Sequence, residues 1–150
     1  MTGGSRHQAR QAAVQAIYQW QLTQQLPSKI EDHLSLDHEL HDVDMDFFHH
    51  LVAEIPSHLH ELDDHLTPYL DRELEEIDPV ERAILRIGAY EFAFHPEIPY
   101  KVILNEAVEL AKTFGAEHGH KYVNAVLDQV ARKLRAAEIQ VGRTTSPSTV

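Results

Sequence analysis

Cysteine is absent from all 150 residues. That excludes disulfides, thiolate zinc sites, iron–sulfur clusters and every mechanism built on a cysteine nucleophile. Glycine is scarce, at six residues, and none stands in a P-loop, a dinucleotide fingerprint or a nucleophile elbow. No run approaches the ~18 consecutive apolar residues of a membrane-spanning helix. Gln11 to Ser28 carries no charge, but six glutamines within it mark a water-facing helix. The opening Met-Thr-Gly-Gly-Ser-Arg-His-Gln lacks a signal-like apolar segment, so the expected location is the cytoplasm. No period-2 pattern bounded by hairpin turns occurs, and there is no internal repeat.

What is present has helical period. The length suits about one domain, and 43% hydrophobic residues suffice for a packed core. Ala9, Ala13, Ala16, Ile17 and Trp20 form one apolar stripe of a first helix, which Pro27 is expected to end. Ser28 and Glu31 read as a capping box opening a short second helix through Leu34 and Leu40. Phe47, Phe48, Leu51, Val52, Ile55, Leu59, Leu62 and Leu66 predict a long third helix that Pro56 is expected to kink or interrupt. A short segment, Tyr69 to Leu74, follows Thr67-Pro68. Asp78, Pro79 and Glu81 together mark a helix start, and that helix runs to His95-Pro96. A further helix begins after Pro99 and ends near Gly115, and the last uses Val123, Val126, Leu127, Val130 and Leu134. The expectation is an all-α fold of about six or seven helices packed as two small bundles joined near residues 67–79, as one domain over residues 1–137 with subdomains at about 1–66 and 67–137. The Gly/Ser/Thr/Pro-rich end, residues 138–150, reads as a disordered tail.

Net charge is −11 with histidine neutral, but it is unevenly spread. Residues 1–29 sum to +3, residues 30–97 to −16 and residues 98–150 to +2. Because charge is screened beyond ~8–10 Å, a basic end can act locally on a polyanion despite the total.

Twelve histidines invite a metal reading. His38 and His41 are one turn apart, His118 and His120 flank a helix start, and positions 49, 50, 58, 60 and 65 scatter round a helix. Zinc needs three or four ligands converging in fixed geometry, and no recognised spacing is present. Solvent-facing histidine is the expectation, with no metal and no cofactor. Glu91 is different, because it lies on an apolar stripe. A carboxylate there needs a cation, and neither Arg82 nor Arg86 shares its face well. A structural ion pair is expected there, ahead of a catalytic acid. At the first helix, Arg6 and Arg10 stand one turn apart with His7 and Gln8 beside them, suited to phosphate. Lys121-Tyr122 adds a cation and a ring on which an unstacked base could lie.

Four blocks carry a resemblance. They are Arg6 through Leu22, Glu81-Arg-Ala-Ile-Leu-Arg-Ile-Gly-Ala-Tyr-Glu91, Ile98 through Gly115 with its Asn-Glu-Ala-Val-Glu-Leu-Ala, and His120-Lys-Tyr-Val-Asn-Ala-Val-Leu127. In register from about residue 6 to about residue 135, the chain resembles the NusB transcription antitermination family. The resemblance implies two three-helix bundles and RNA binding without catalysis. It implies pairing with the ribosomal protein that serves as NusE, recognition of single-stranded boxA in ribosomal RNA leaders, and a larger complex with NusA, NusG and RNA polymerase, with no membrane partner. The RNA-binding residues it implies are Arg6, His7, Arg10, Arg86, Lys101, His118, Lys121 and Tyr122. His7 and Gln8 depart from the family, whose members often have more arginine there. The partner face it implies is Tyr18, Leu22, Glu75, Glu76 and Glu81, an acidic surface for a basic protein.

The expected mechanism is one patch, assembled from the first, fifth and last helices, that grips an unpaired strand. With roughly three to five phosphates neutralised, log affinity would fall with log salt at roughly −2 to −3.5. Two rivals stand beside it. A similar helical fold forms the RNA-binding part of a ribosomal RNA cytosine-5 methyltransferase, whose catalytic half the missing cysteine excludes. A helical adaptor that touches only protein remains open.

Overall fold

The computed structural model describes residues 5–37, 40, 42–115 and 118–144. In chain order the helices are α1 (Arg6–Thr23), α2 (Pro27–Asp37), α3 (Met45–Ser57), α4 (Leu59–Leu66), α5 (Pro79–Phe94), α6 (Tyr100–Phe114), α7 (Gly119–Leu134) and α8 (Ala136–Thr144). Two single 3-10 turns, Thr67–Tyr69 and Leu74–Glu76, link α4 to α5. No strand lies among the described residues, only an isolated bridge between Ser5 and Val43. None of these helices is long and apolar enough to cross a membrane.

The helix starts follow from short oxygen-bearing side chains. Ser5 accepts from the Gln8 amide at 3.0 Å, Asp44 from Phe47 at 3.1 Å, and Asp78 from both Val80 and Glu81 at 3.1 and 3.2 Å. Each satisfies amides that the first turn leaves without a carbonyl. Asp78→Ala should therefore cost about 1 kcal/mol in urea unfolding; an unchanged midpoint would show that water replaces the cap.

Two boundaries differ from expectation, and at Pro56, where a kink or an interruption is expected, the structure has the interruption. Pro27 does not end α1, which stops at Thr23 with Gln24 in a left-handed cap (φ 59°). Proline instead opens α2, at a position whose amide has no helical partner in any case. The long helix from Phe47 to Leu66 is two, α3 and α4, separated at His58. Pro56 lacks an N–H, and the chain turns within two residues of it. The tail expected from residue 138 is helical to Thr144, because Glu138 accepts from the Tyr100 amide at 2.9 Å and from Arg135 at 2.6 Å. Residues 145–150 lie outside the described residues.

α1, α2 and α3 pack as one bundle and α5, α6 and α7 as the other, with α1 against α5 forming the main seam and α4 laid on α5. α5 is therefore surrounded, and from Ala83 to Phe92 every residue is buried. Arg10 meets Glu91 and Gln21 meets the Pro79 carbonyl, so α1 runs antiparallel to α5. Along α7, Gly119 touches Glu81, Leu127 touches Gly88 and Arg135 touches Phe92, so α7 runs parallel to α5. A Cβ at Gly88 would stand 2.7 Å from Leu127 Cδ1, which is why α5 carries glycine at that crossing.

Candidate nucleic-acid interface

A polar side chain on an enclosed helix must find its partner inside the protein. Glu91, 1% exposed, finds Arg10, 4% exposed. Arg10 Nε donates to Oε2 at 2.8 Å and Nη2 to Oε1 at 2.6 Å, with Glu106 Oε1 3.5 Å from Nη1. Burial lowers the guanidinium pKa, but the hydrogen bond and charge of Glu91, aided by Glu106, carry it above the usual arginine value. The structural ion pair expected at Glu91 is present, and its cation is Arg10. This corrects the placing of Arg10 among outward phosphate contacts, since its fork already holds a carboxylate. Arg86 is corrected in the same way. It is buried, with Nε and Nη2 each 3.0 Å from the Asp63 carboxylate and Nη1 donating to Gln21 at 2.9 Å.

The remaining RNA-facing candidates fall at two ends of α5. At its C-terminal end, Arg6 is about half exposed, its guanidinium 4.5 Å over the Phe47 ring and 3.8 Å from Asp44. His7 bonds Glu106 at 2.8 Å, and Lys101 is exposed on the first turn of α6. At the N-terminal end, His118 (φ 72°), Lys121 and Tyr122 open α7. Glu91 and Glu81 mark the two levels, and ten residues at 1.5 Å rise put them about 15 Å apart. The single patch expected from the first, fifth and last helices is thus two stations, with Arg10 and Arg86 buried between them. At ~3.4 Å per stacked nucleotide, the gap is about four to five nucleotides.

Tyr122 is half-buried against the core and its ring carries a cation. The Arg72 guanidinium lies 4.8 Å from the ring centroid. The phenol donates to Asp71 Oδ1 at 3.1 Å, and the same carboxylate holds Arg72 through Nε at 2.8 Å and Nη2 at 3.2 Å.

The partner candidates adjoin this second station. Tyr18 and Leu22, 37% and 54% exposed, line a groove of about 450 Å³ with Val14, Leu34, Val80 and Phe114. Glu75 and Glu76 are exposed on the 3-10 turn before α5. Glu81 is corrected, being buried with its carboxyl against Gly119. Burial, then Asp78, pushes that carboxyl above the usual range, against the pull of Arg72.

Comparison with known proteins gives the family and the fold. The family model described as the NusB family matches residues 7–132. The chain belongs to the NusB family. It is 53% identical over 135 residues to the transcription antitermination protein NusB of Nitrosococcus oceani, covering 90% of each chain. It is 47% identical over 137 residues to that of Alcanivorax borkumensis, covering 91% of each. A solved structure of T. maritima NusB superposes with a TM-score of 0.74 at 29% identity, covering 87% of this chain and 93% of that one.

In this NusB-family chain, two residues beside the candidate Tyr122 escape a reading by periodicity, Asp71 and Arg72. They sit in an acidic, irregular stretch, and the only local signal was an arginine two residues beyond Tyr69-Leu70. Among the described residues, no three histidine or acidic side chains converge as metal ligands. His38 and His41 lie outside the described residues.

Proposed function

We propose that this chain is a non-catalytic, cytoplasmic RNA-binding antitermination factor. On this reading it pairs with the ribosomal protein NusE, binds single-stranded boxA in ribosomal RNA leaders, and joins NusA, NusG and RNA polymerase. The observation that carries the proposal is the match over nine-tenths of both chains to proteins named for transcription antitermination. The geometry supports it in two ways. An aromatic ring, Tyr122, with Lys121 before it in sequence stands at the start of α7, and a groove beside exposed acids faces out from the same end of the molecule. The partner's basic surface meets Glu75 and Glu76 while its apolar side chains enter beside Tyr18 and Leu22. Arg6, Lys101 and Lys121 contact phosphates, and Tyr122 stacks a splayed base, which supplies the preference that phosphate contacts cannot.

With Arg10 and Arg86 withdrawn from the surface, about three phosphate contacts remain, and the expected slope of log affinity on log salt is about −2. Fluorescence anisotropy with labelled boxA RNA, with and without the NusE-type partner, reads this directly. A slope near zero overturns it. Tyr122→Ala should weaken boxA binding about 5- to 100-fold, the range for one lost base stack, and weaken a scrambled strand less. The burial of Arg10 and Arg86 favours one other reading, an adaptor that binds protein alone. That reading predicts partner binding with no RNA signal in the same titration.

A further inference from the structure

One face of the Tyr122 ring is already occupied. The ring is partly buried against the core, and the Arg72 guanidinium lies over it, 4.8 Å from the centroid. Both are tied to one carboxylate. Asp71 Oδ1 accepts from the Tyr122 hydroxyl and from Arg72 Nε, and Asp71 Oδ2 accepts from Arg72 Nη2. The Asp71 amide closes the loop onto the phenol oxygen at 3.5 Å. Asp71 and Arg72 are themselves 63% and 44% exposed, and beyond this cluster the carboxylate whose charge acts on Arg72 is Glu81. An aromatic ring can stack a base or a guanidinium on a given face, but not both.

We propose that Asp71 and Arg72 form a latch on the RNA site, holding a cation where a nucleobase must lie. An incoming unpaired ribonucleotide displaces Arg72 from the ring. Its base takes the ring face, and the released fork passes from the Asp71 carboxylate to the nucleotide's phosphate, the anion that guanidinium pairs with in the same bidentate way. Exposed ion pairs are weak, so the latch opens at small cost. Asp71 then acts as a brake on affinity and Arg72 as a phosphate contact available only after opening. The Arg72 hydrogen bond, helped by that of Tyr122, keeps the Asp71 carboxyl below the usual range, so the brake is charged throughout the neutral range. This inference rests on Tyr122 being the base platform.

Four proteins, the unaltered chain, Asp71→Asn, Glu73→Gln and Tyr122→Ala, should be titrated with labelled boxA RNA and with a scrambled strand of equal length. Asparagine keeps an oxygen for the Tyr122 hydroxyl but gives up the charged fork. Asp71→Asn is expected to bind boxA about two- to fivefold more tightly, the factor matching one exposed cation–π contact. Glu73→Gln removes the same charge two residues away and should gain less than half as much. An unchanged or weaker Asp71→Asn, or an equal gain from Glu73→Gln, overturns the latch. If Tyr122→Ala loses boxA preference while Asp71→Asn gains nothing, the latch fails and the platform stands. If Tyr122→Ala loses nothing, the platform itself fails. The Arg72 Nε–H resonance gives a second readout, and it must shift when RNA is added to the unaltered chain.

Discussion

Replacing Arg10 with alanine is expected to lower the stability of the fold by about 3–5 kcal/mol, the cost of stranding a buried charge. Glu91 would keep its burial and lose both hydrogen bonds, and Glu106, on the far side of the guanidinium, adds a second carboxylate to the same space. Urea unfolding followed by circular dichroism measures the loss. The pair also makes a clean double-mutant cycle. Arg10→Met with Glu91→Leu removes both charges, and should recover most of what either single change costs, because apolar replacements of a buried pair are often neutral. RNA binding discriminates the structural role from a phosphate contact. A surface phosphate ligand would leave the midpoint alone and reduce the salt slope by about 0.7. A buried clasp does the reverse at temperatures where the variant stays folded. An Arg10→Ala protein with the normal midpoint and a shallower slope would return Arg10 to the RNA surface.

The same residue shows what the sequence discloses and where it stops. Periodicity put Glu91 on an apolar stripe and chemistry required a cation beside it. Nothing local could say that the cation sits 81 residues earlier, because a 3.6-residue period reports which face is buried and not what covers it. Arg86 was misplaced for a related reason. Its RNA-facing role comes from the resemblance alone, and α5, enclosed nearly all round, forces it onto Asp63 and Gln21. Local chemistry fared better. Asp78-Pro79 stated its helix start almost atom by atom, since capping depends only on neighbours. Residues 138–144 depart from the loop their composition suggests because a single carboxylate, Glu138, reaches the Tyr100 amide and anchors α8. The aromatic at Tyr122 was legible from its resemblance. Its cap was not, since Asp71 and Arg72 belong to no periodic element and the contact spans about fifty residues.

Arg135 carries the second large effect. It is 6% exposed, and its guanidinium closes the turn between α5 and α6. Nε donates to the Phe92 carbonyl at 2.9 Å, Nη1 to Ile98 at 2.9 Å and to Glu138 at 2.6 Å, and Nη2 to His95 at 2.8 Å and Glu91 at 3.3 Å. The carbonyls at a helix end lack intrahelical donors, and here one planar fork, from the residue that ends α7, serves Glu91 and Phe92 in the last turn of α5 and His95 and Ile98 in the turn beyond it. Arg135→Ala should leave at least the Phe92 and Ile98 carbonyls buried and unpaired, at about 1–3 kcal/mol each, for a total loss of about 3–5 kcal/mol in urea unfolding. Arg135→Lys should recover little, because an ammonium cannot reach carbonyls spread across a fork. Loss of the Glu138 pair also frees α8, so hydrogen exchange should speed up across residues 136–144 and at the Tyr100 amide before the core opens. The residue after Tyr100 is Lys101, so on the proposed RNA-binding reading the clamp also positions the first station. If Arg135→Ala unfolds at the normal midpoint and keeps those amides protected, water must be satisfying the carbonyls, and the turn that presents Lys101 holds itself.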